Sequence, residues 1–503
     1  MKKLVALLLS LVMLLSLCTV AFADGTKDTI TFAYEAEPSG LSTTENNEVS
    51  SYYPCFLLYS GLFKYGQTGP EKDLCTEYHT ELDANGEETI WVFTIREGVK
   101  FTDGTDLTAE DVADTLNFAH ERPAVSGLTG FYTKAEAVDA KTVKLYTNGV
   151  YATTPASLAH KCCAVLPSEL IAAGHDFNNE PVGCGPYKLV KWNKGENILF
   201  EANENYYGGA PAIKNINWRF IAEGSSRTLS LQAGEVDFVV SVDSLDIARL
   251  QADDKYNVSI TNGSMFTYFL LNGGKAPFND VNFRKFLACA INREDVIEVA
   301  LNGFGTPLVG CINVNIAGTT AENAEDYDEE KAAAYLAAWG GDPESVNFEI
   351  LVSNDVRRRI AEVIQGELLE YGVNCTITTT ESATCSSLAK SGEYDAMIFA
   401  YTTNDFATYA KNLYYVSDAA HAGNKFRMSY DDSLNALIDE INITTDENER
   451  AAKITDFVKQ LNAKQPVVPI YCSQVLLAYD KNLQGVSVDS QGYFRVEKFS
   501  WAN

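Results

Sequence analysis

Residues 89–120 read TIWVFTIREGVKFTDGTDLTAEDVADTLNFAH, and this stretch decides the fold. Residues 89–95 alternate their side chains between two faces, which is typical of a β-strand. The pattern breaks at Glu97-Gly98 and resumes through residues 99–101. It then reaches Asp103-Gly104, a dipeptide that marks a turn. The first half of the stretch therefore predicts two short strands joined by turns.

The second half of the stretch predicts a capped helix. The hydroxyl of Thr108 can cap the first turn, and Asp111 three residues later can reach back to complete a capping box. Val112, Leu116 and Ala119 then form an apolar stripe at helical spacing. We therefore expect this helix to pack on a core through that stripe.

Four further blocks of the chain also carry strand, turn and helix patterns. They read PVGCGPYKLVKW (181–192), SSRTLSLQAGEVDFV (225–239), YFLLNGGKAPFNDVNFRKFLACAINREDVIEVALNGFGTP (268–307) and ENERAAKITDFVKQLNAKQPVVPIYCSQVLLAYDKNLQGV (447–486). Together with IREGVKFTDGTDLTAEDV, these blocks closely resemble the extracellular solute-binding proteins of the peptide/nickel class, the capture subunits of ABC importers. The resemblance covers nearly all of residues 30–503, with the blocks in the family's order.

The resemblance implies an α/β fold of the two-lobed, type II periplasmic-binding-protein kind, with mixed sheets flanked by helices and an extra subdomain in lobe I. Two apolar, strand-like runs, 265–271 and 469–479, would cross between the lobes. The implied division is a signal peptide at 1–23, lobe I at 24–265 with the extra subdomain at 66–170, lobe II at 266–472, and a return to lobe I at 473–503.

Composition limits the function classes. A chain of 503 residues with 46% hydrophobic and 21% charged residues is typical of a folded protein of about two to four domains. Its formal net charge of -29 repels nucleic-acid phosphates and anionic lipid surfaces. We therefore expect no nucleic-acid partner.

The N-terminus predicts export. Lys2-Lys3 precede an uncharged apolar run at 4–20, and Ala21-Phe22-Ala23 has the A-x-A form of a cleavage site. We expect cleavage after Ala23 and an extracytoplasmic protein, at the cell surface or in a periplasm. Lipidation at Cys18 is the less favoured alternative, because Leu17 occupies the place of a small residue.

Ten cysteines remain beyond Cys18. Their strand and helix contexts predict small buried apolar residues, most with free thiols.

The sequence offers no catalytic or metal-binding pattern. The five histidines, His79, His120, His160, His175 and His421, have no HExxH or i, i+4 spacing. No G-x-S-x-G elbow, Walker loop or dinucleotide fingerprint is present. We therefore predict a binding protein that is not an enzyme and has no cofactor or metal.

The ligand-binding residues are implied by the resemblance. In peptide-binding relatives the peptide is held like an added strand, and its amino terminus meets an aspartate after a buried strand of lobe II. The matching stretch here begins at Tyr401 and places Asn404 where the aspartate belongs, followed by Asp405. Either Asp405 takes over the role, or the ligand lacks a free ammonium. Analogy also places Glu48 and Asn272 near the cleft.

We expect capture of a di- or oligopeptide between the lobes and delivery to membrane permease subunits by a monomer. The same fold with an oligosaccharide, a nickel chelate or another solute is one alternative. A receptor that senses a peptide without import is another. The run Arg357-Arg358-Arg359 is interpreted as a solvated helix face.

Overall fold

The computed structural model describes residues 27–502, apart from residues 68, 313, 315, 403–405 and 417–431. The strands of this part are β1 Thr29–Tyr34, β2 Phe63–Tyr65, β3 Pro70–Lys72, β4 Cys75–Glu81, β5 Ile90–Ile95, β6 Tyr132–Asp139, β7 Thr142–Thr147, β8 Tyr187–Asn193, β9 Asn197–Ala202, β10 Asn215–Phe220, β11 Phe238–Val240, β12 Tyr256–Leu271, β13 Thr306–Pro307, β14 Asn347–Val352, β15 Asn374–Thr379, β16 Ala396–Thr402, β17 Val467–Asp480, β18 Leu483–Gln484 and β19 Ser500–Trp501.

Its α-helices are α1 Tyr52–Leu58, α2 Ala109–His120, α3 Ser126–Thr129, α4 Thr154–Leu158, α5 Ser168–Ala172, α6 Gly224–Gln232, α7 Ile247–Gln251, α8 Val281–Ala290, α9 Arg293–Leu301, α10 Glu329–Trp339, α11 Asp355–Glu370, α12 Ser382–Ser391, α13 Phe406–Leu413, α14 Asn435–Ile443 and α15 Glu447–Lys464. Strands and helices alternate along most of the chain, so the protein is of the α/β class.

One large mixed sheet organises the molecule. Its strand order is β15-β14-β16-β12-β17-β11-β1-β10-β9-β8, with β13 paired to β17. β1 is parallel to β10 and β11, and β14 is parallel to β15 and β16. The antiparallel strands β12 and β17, of 16 and 14 residues, lie between these two parallel groups.

Helices cover both faces of the sheet. In the half that contains β14 and β16, one face packs against α8, α9 and α11, and the other against α13, α14 and α15. In the half that contains β1, one face packs against α1 and the C-terminal segment, and the other against α6 and α7. Burial on both faces explains why β11 and β16, inside the sheet, are nearly continuous apolar runs, whereas the edge strand β15 is polar and largely exposed.

A smaller antiparallel sheet, in the order β4-β5-β7-β6, has its own core with α2. The predicted capping box of α2 is confirmed, since the backbone N–H of Thr108 donates to Asp111 Oδ2 at 2.8 Å. Val112, Leu116 and Ala119 are buried, as their spacing predicts. Residues 90–95 form β5, so the first predicted strand is also confirmed.

The second strand predicted in this stretch is wrong. Lys100 and Asp106 form only an isolated bridge, and the N–H of Phe101 donates to Thr105 O at 2.9 Å across the Asp103-Gly104 turn. The N–H of Leu107 also donates to Val99 O at 2.9 Å, so residues 99–101 pair only with residues 105–107, a partner too short for a ladder to extend.

The longer helices follow the periodicity of their sequences. Apolar positions between 283 and 290 are buried on α8, and α10 ends at Gly340, whose φ of 74° places it in the left-handed region that favours glycine. The two apolar runs at 265–271 and 469–479 lie within β12 and β17. All ten described cysteines are buried, as expected of small core residues. The residue limits of the lobes and of the extra subdomain stay predictions.

Candidate functional site

The strand directions bring the ends of the two parallel groups together. β11 runs antiparallel to β17, and its last residue, Val240, pairs with Leu477. β16 runs antiparallel to β12, and its last residue, Thr402, pairs with Met265. Both groups therefore point their carboxyl ends at the middle of the β12–β17 pair. We call this place the central junction, and ligands of open α/β sheets bind at such carboxyl ends.

The β12–β17 ladder is interrupted at the central junction. Asn262 pairs with Gln474 and Phe266 with Cys472, so the residues 263–265 face a single residue of β17. Such a bulge bends a strand and leaves backbone groups unpaired with the neighbouring strand. Met265 is 37% exposed there, although the rest of β12 beyond it is buried. The β12–β17 pair is thus least regular at the central junction.

The C-terminal segment 488–494 lies against this bulge. The hydroxyl of Ser264 donates to the carbonyl of Gln491 at 3.2 Å. Gly492 has a φ of 88°, and a Cβ there would lie 2.7 Å from the side chain of Val475. Only glycine allows this close approach. The end of the chain therefore forms one side of the junction.

A stacked pair of tyrosines joins this segment to the start of α1. The rings of Tyr52 and Tyr493 are 5.3 Å apart and nearly parallel, at 10°. The Tyr52 hydroxyl is 2.7 Å from His160 Nε2. Burial raises the pKa of the Tyr52 phenol, so it stays protonated. Both rings are half-buried, so the stack fixes the C-terminal segment against the start of α1.

The loop that follows β1 is fixed by side chains. Glu48 accepts a hydrogen bond from the N–H of Ser39 and so closes the loop. Lys161 is 2% exposed, and its ammonium donates to the carbonyls of Asn46 at 2.8 Å and Thr43 at 3.4 Å. The buried ammonium thus ties the loop after β1 to the chain around residue 161 through backbone oxygens.

Arg227 holds the ends of β10 and β11 together. It is 4% exposed, and its guanidinium donates to the carbonyls of Ile221 (2.9 Å), Ala222 (2.7 Å) and Ser241 (2.6 Å). Glu35, directly after β1, lies 3.8 Å from it. The guanidinium of Arg227 therefore contacts residues at or just after the carboxyl ends of β1, β10 and β11. We call these strand ends, the loop after β1 and the segment 488–494 the first wall.

The second wall consists of the residues at the ends of β14 and β16. Tyr401 is the penultimate residue of β16, half-buried, with its ring 5.9 Å from that of Tyr409. Arg357, in the first turn of α11, donates from Nη1 to the Ser353 hydroxyl at 2.6 Å. Its guanidinium also lies 5.8 Å from the ring centre of Phe399.

The predicted site residues are therefore not all in one place. Glu48 lies in the loop after β1, within the first wall, and Tyr401 lies at the end of β16, within the second. Asn404 and Asp405 lie outside the described residues, between Thr402 at the end of β16 and Phe406 at the start of α13.

Asn272 lies elsewhere. It directly follows Leu271, which pairs with the first residue of β16, at the end of β12 far from the junction. Asn272 is 2% exposed and donates to the carbonyls of Gly392 (3.0 Å) and Tyr394 (2.7 Å). The analogy placed Asn272 next to β12, which is correct, but at the end of β12 nearer the cleft, which is not. We therefore leave Asn272 out of the site.

One other expectation changes. The interpretation of residues 357–359 as a solvated face is wrong for Arg357, which is half-buried at the strand ends; Arg358 is exposed and pairs with Glu362 at 3.0 Å. Tyr53 and Tyr132 belong to the hydrophobic cores and not to the site. The contribution of Tyr493 was missed, because its partner Tyr52 is distant in sequence.

The described residues contain no group of three or more His, Cys, Asp or Glu side chains that could hold a metal ion. In the same part of the chain, no helix combines the length and the apolar character that crossing a membrane requires.

The sequence is similar to those of known periplasmic binding proteins. The chain is 26% identical over 488 residues to the probable D,D-dipeptide-binding periplasmic protein DdpA of Escherichia coli K12, covering 93% of this chain and 92% of that protein. It is 25% identical over 463 residues to the glutathione-binding protein GsiB of Salmonella typhimurium, covering 88% and 89%.

Among solved structures, HbpA2 from Haemophilus parasuis superposes with a TM-score of 0.84 at 24% identity, covering 94% of this chain and 100% of that one. The fold is therefore that of the periplasmic binding proteins, as the resemblance implied. The sequence model of bacterial extracellular solute-binding proteins, family 5 (middle region), matches residues 70–423. With more than half of its length matched, the chain belongs to this family of extracytoplasmic solute-binding proteins.

Proposed function

We propose that this protein captures di- or oligopeptides in the cleft between its two lobes and delivers them to the permease of an ABC importer. Lobe I would comprise residues 24–265 and 473–503, and lobe II residues 266–472. The observation that carries the proposal is the meeting of both parallel strand groups at the central junction, where the two long strands β12 and β17 cross.

The ligand class follows from the relatives together with the walls of the junction. The two curated relatives are named for a D,D-dipeptide and for glutathione, and both compounds carry amide bonds and carboxylates. The Tyr52–Tyr493 pair supplies an aromatic surface for side chains, and the strand ends supply backbone groups for a main chain.

Binding would proceed without chemistry on the ligand. Capture requires an open and a closed arrangement that differ by a few kcal/mol, so that ligand contacts made on both walls shift the population towards the closed one. The ammonium of Lys161 and the guanidinium of Arg227 are satisfied by carbonyl groups of the protein, so they position the first wall and do not react. The energy for transport would come from ATP hydrolysis by another subunit.

The ligand can be identified directly. Native mass spectrometry of the purified mature protein, with denaturation to release any retained compound, would give the ligand's mass. Calorimetry with the synthetic compound would then give its affinity. A released peptide supports the proposal. A released sugar or nickel chelate contradicts it and assigns the other solute, and turnover of the compound during the titration would contradict a pure binding role.

The amino-end contact is tested by substitution. If Asp405 binds the ligand's ammonium, Asp405→Ala weakens free-amine peptides by about 1.5–3 kcal/mol, the range for hydrogen bonds to charged groups. N-acetylated peptides would be unaffected.

Asn404→Ala is the matched control next to it, and a larger loss in that variant would move the contact to Asn404. Equal affinity of wild-type protein for free and acetylated peptides would remove the ammonium contact from both residues.

A further inference from the structure

Two cysteines that are neighbours in the sequence lie side by side next to the first wall. Cys162 and Cys163 are the one adjacent pair among the cysteines of the chain, and they belong to the short 3-10 helix Lys161–Cys163. Both side chains are buried, and their Sγ atoms are 3.8 Å apart. The two thiols are therefore already in contact.

An imidazole faces the first of these thiols. His160 Nδ1 lies 3.1 Å from Cys162 Sγ and accepts a hydrogen bond from the backbone N–H of Cys162 at 3.2 Å. A ring nitrogen that accepts from an amide carries no proton, so a neutral His160 has its proton on Nε2 and donates it to the Tyr52 hydroxyl at 2.7 Å. The thiol of Cys162 thus faces the basic nitrogen of a ring that Tyr52 holds in orientation.

The two thiols differ in acidity. A hydrogen bond from Cys163, together with His160 and Lys161, holds the pKa of Cys162 well below its usual range. The same hydrogen bond and burial raise the pKa of Cys163. Burial also raises the pKa of each of the other eight described cysteines (ten minus two). Because the thiolate is the nucleophile in disulfide exchange, Cys162 is the thiol prepared to attack and Cys163 the one placed to follow.

We propose that Cys162 and Cys163 form a reversible disulfide with each other by exchange with a low-molecular-weight disulfide outside the cytoplasm. Cys162 passes its proton to His160 Nδ1, and its Sγ attacks one sulfur of the reagent R–S–S–R. The S–S bond of the reagent breaks, and RS⁻ leaves and takes up that proton. Cys163 Sγ then attacks Cys162 Sγ, and the second RS⁻ leaves with the proton of Cys163. Two protein thiols are oxidised by two electrons, and one reagent disulfide is reduced to two RSH molecules.

Such a bond would be strained and therefore easily reversed. The peptide between the two residues is trans, so their Cα atoms are about 3.8 Å apart. Disulfides usually join Cα atoms about 4.4–6.8 Å apart, and strained ones are the more reducible, labile kind. Residues on both sides of the pair, Ala159 and Ala164, line a cavity, so a local movement of this turn brings a small reagent to the sulfur atoms. We expect a reversible modification and not a permanent crosslink.

The test counts free thiols in the full mature protein. Protein reduced with dithiothreitol is exposed to bis(2-hydroxyethyl) disulfide, once in the folded state and once during refolding from urea. Free thiols are then blocked with N-ethylmaleimide in urea and counted by mass spectrometry. We expect eight blocked cysteines instead of ten by either route, and one peptide with an internal bond between Cys162 and Cys163. Excess 2-mercaptoethanol should restore ten. None of these readouts depends on the captured ligand.

Three variants assign the roles within the pair. Cys163→Ser removes the second thiol, so Cys162 should retain one molecule of reagent as a mixed disulfide. Cys162→Ser removes the attacking thiol, and Cys163 should form that mixed disulfide at least roughly tenfold more slowly, because its thiolate is scarce. Cys184→Ser is the matched control, since it removes another buried thiol of the same hydrophobic core. It should still form the bond between Cys162 and Cys163. Thermal melts check that each variant folds.

Two results would overturn the inference. Ten blocked cysteines in the wild-type protein after both treatments would show that the pair does not oxidise. A disulfide that joins other cysteines, or that still forms in Cys162→Ser or Cys163→Ser, would assign the oxidation elsewhere. The count on the wild-type protein needs no variant, so it decides the question even where a serine variant fails to fold.

Discussion

Arg227 on the first wall and Arg357 on the second occupy similar places in the fold, but their guanidinium groups differ in how many protein partners they have. Each lies in the first turns of a helix that follows a parallel strand, next to the central junction. Arg227 uses its guanidinium on three carbonyl groups and Glu35, all within the protein. Arg357 makes one described hydrogen bond, to Ser353. Arg227 is therefore held by more contacts within the protein than Arg357, although its Nε has no described hydrogen-bond partner.

The largest expected effect concerns Arg227 and the free energy of unfolding. Arg227→Leu leaves three backbone carbonyls without their donor and Glu35 without its cation. We expect a loss of about 3–5 kcal/mol in the free energy of unfolding, because each buried carbonyl left without a donor costs about 1–3 kcal/mol. Arg357→Leu should cost under about 1 kcal/mol, because it removes one hydrogen bond. Urea denaturation of both variants measures the difference, and equal losses would erase the distinction between the walls.

The next effect concerns the pH response of the first wall. Burial raises the pKa of Asp489 to about 6, despite Arg495 at 3.8 Å. Because the folded state then holds a proton that the unfolded chain has released, stability falls as pH rises from about 4 to 6. We expect the wild-type protein to lose about 2 kcal/mol relative to Asp489→Asn across this range.

The Asp489 experiment requires urea denaturation of wild type and variant at several pH values between 4 and 7. The difference between the two proteins isolates this carboxyl from other titrating groups. A difference that is constant with pH would show that Asp489 has an ordinary pKa. A difference that grows in the opposite direction would mean that Arg495 dominates over burial.

The last prediction separates an effect on stability from an effect on binding, where we expect none. Asn272→Ala removes two hydrogen bonds to the carbonyls of Gly392 and Tyr394 at the far end of β12. We expect a loss of about 1–3 kcal/mol in the free energy of unfolding. Ligand affinity, measured by calorimetry, should not change. A large loss of affinity in a variant that is still folded would return Asn272 to the binding site.

Sequence reasoning predicted the local elements and the family-level fold. The cap of α2, the apolar stripe of α8 and the glycine end of α10 are determined by neighbouring residues, so their patterns are visible in the chain. The long strands β12 and β17 were visible as apolar runs. The brief run 99–101 failed as a strand because strand formation depends on a partner and not only on alternation.

The site was less predictable because it depends on direction and on distant partners. Analogy identified the strand of Asn272 but not which end of it meets the first wall. Tyr52 and Tyr493 stack although 441 residues separate them (493 minus 52), and nothing local marks either one. The three arginines at 357–359 look equivalent in sequence. Only their rotation around α11 distinguishes the one at the strand ends from the exposed one.

The continuity of β12 and β17 limits how the molecule can move. A flexible loop would let two bodies separate freely, but here each connection is a single strand hydrogen-bonded to its neighbour on both sides of the bulge at 263–265. We therefore expect rotation between the two predicted lobes to occur as torsion within this two-stranded ribbon, concentrated at the register shift of residues 263–265. Such torsion keeps both strands intact, so we expect reversible opening without local unfolding.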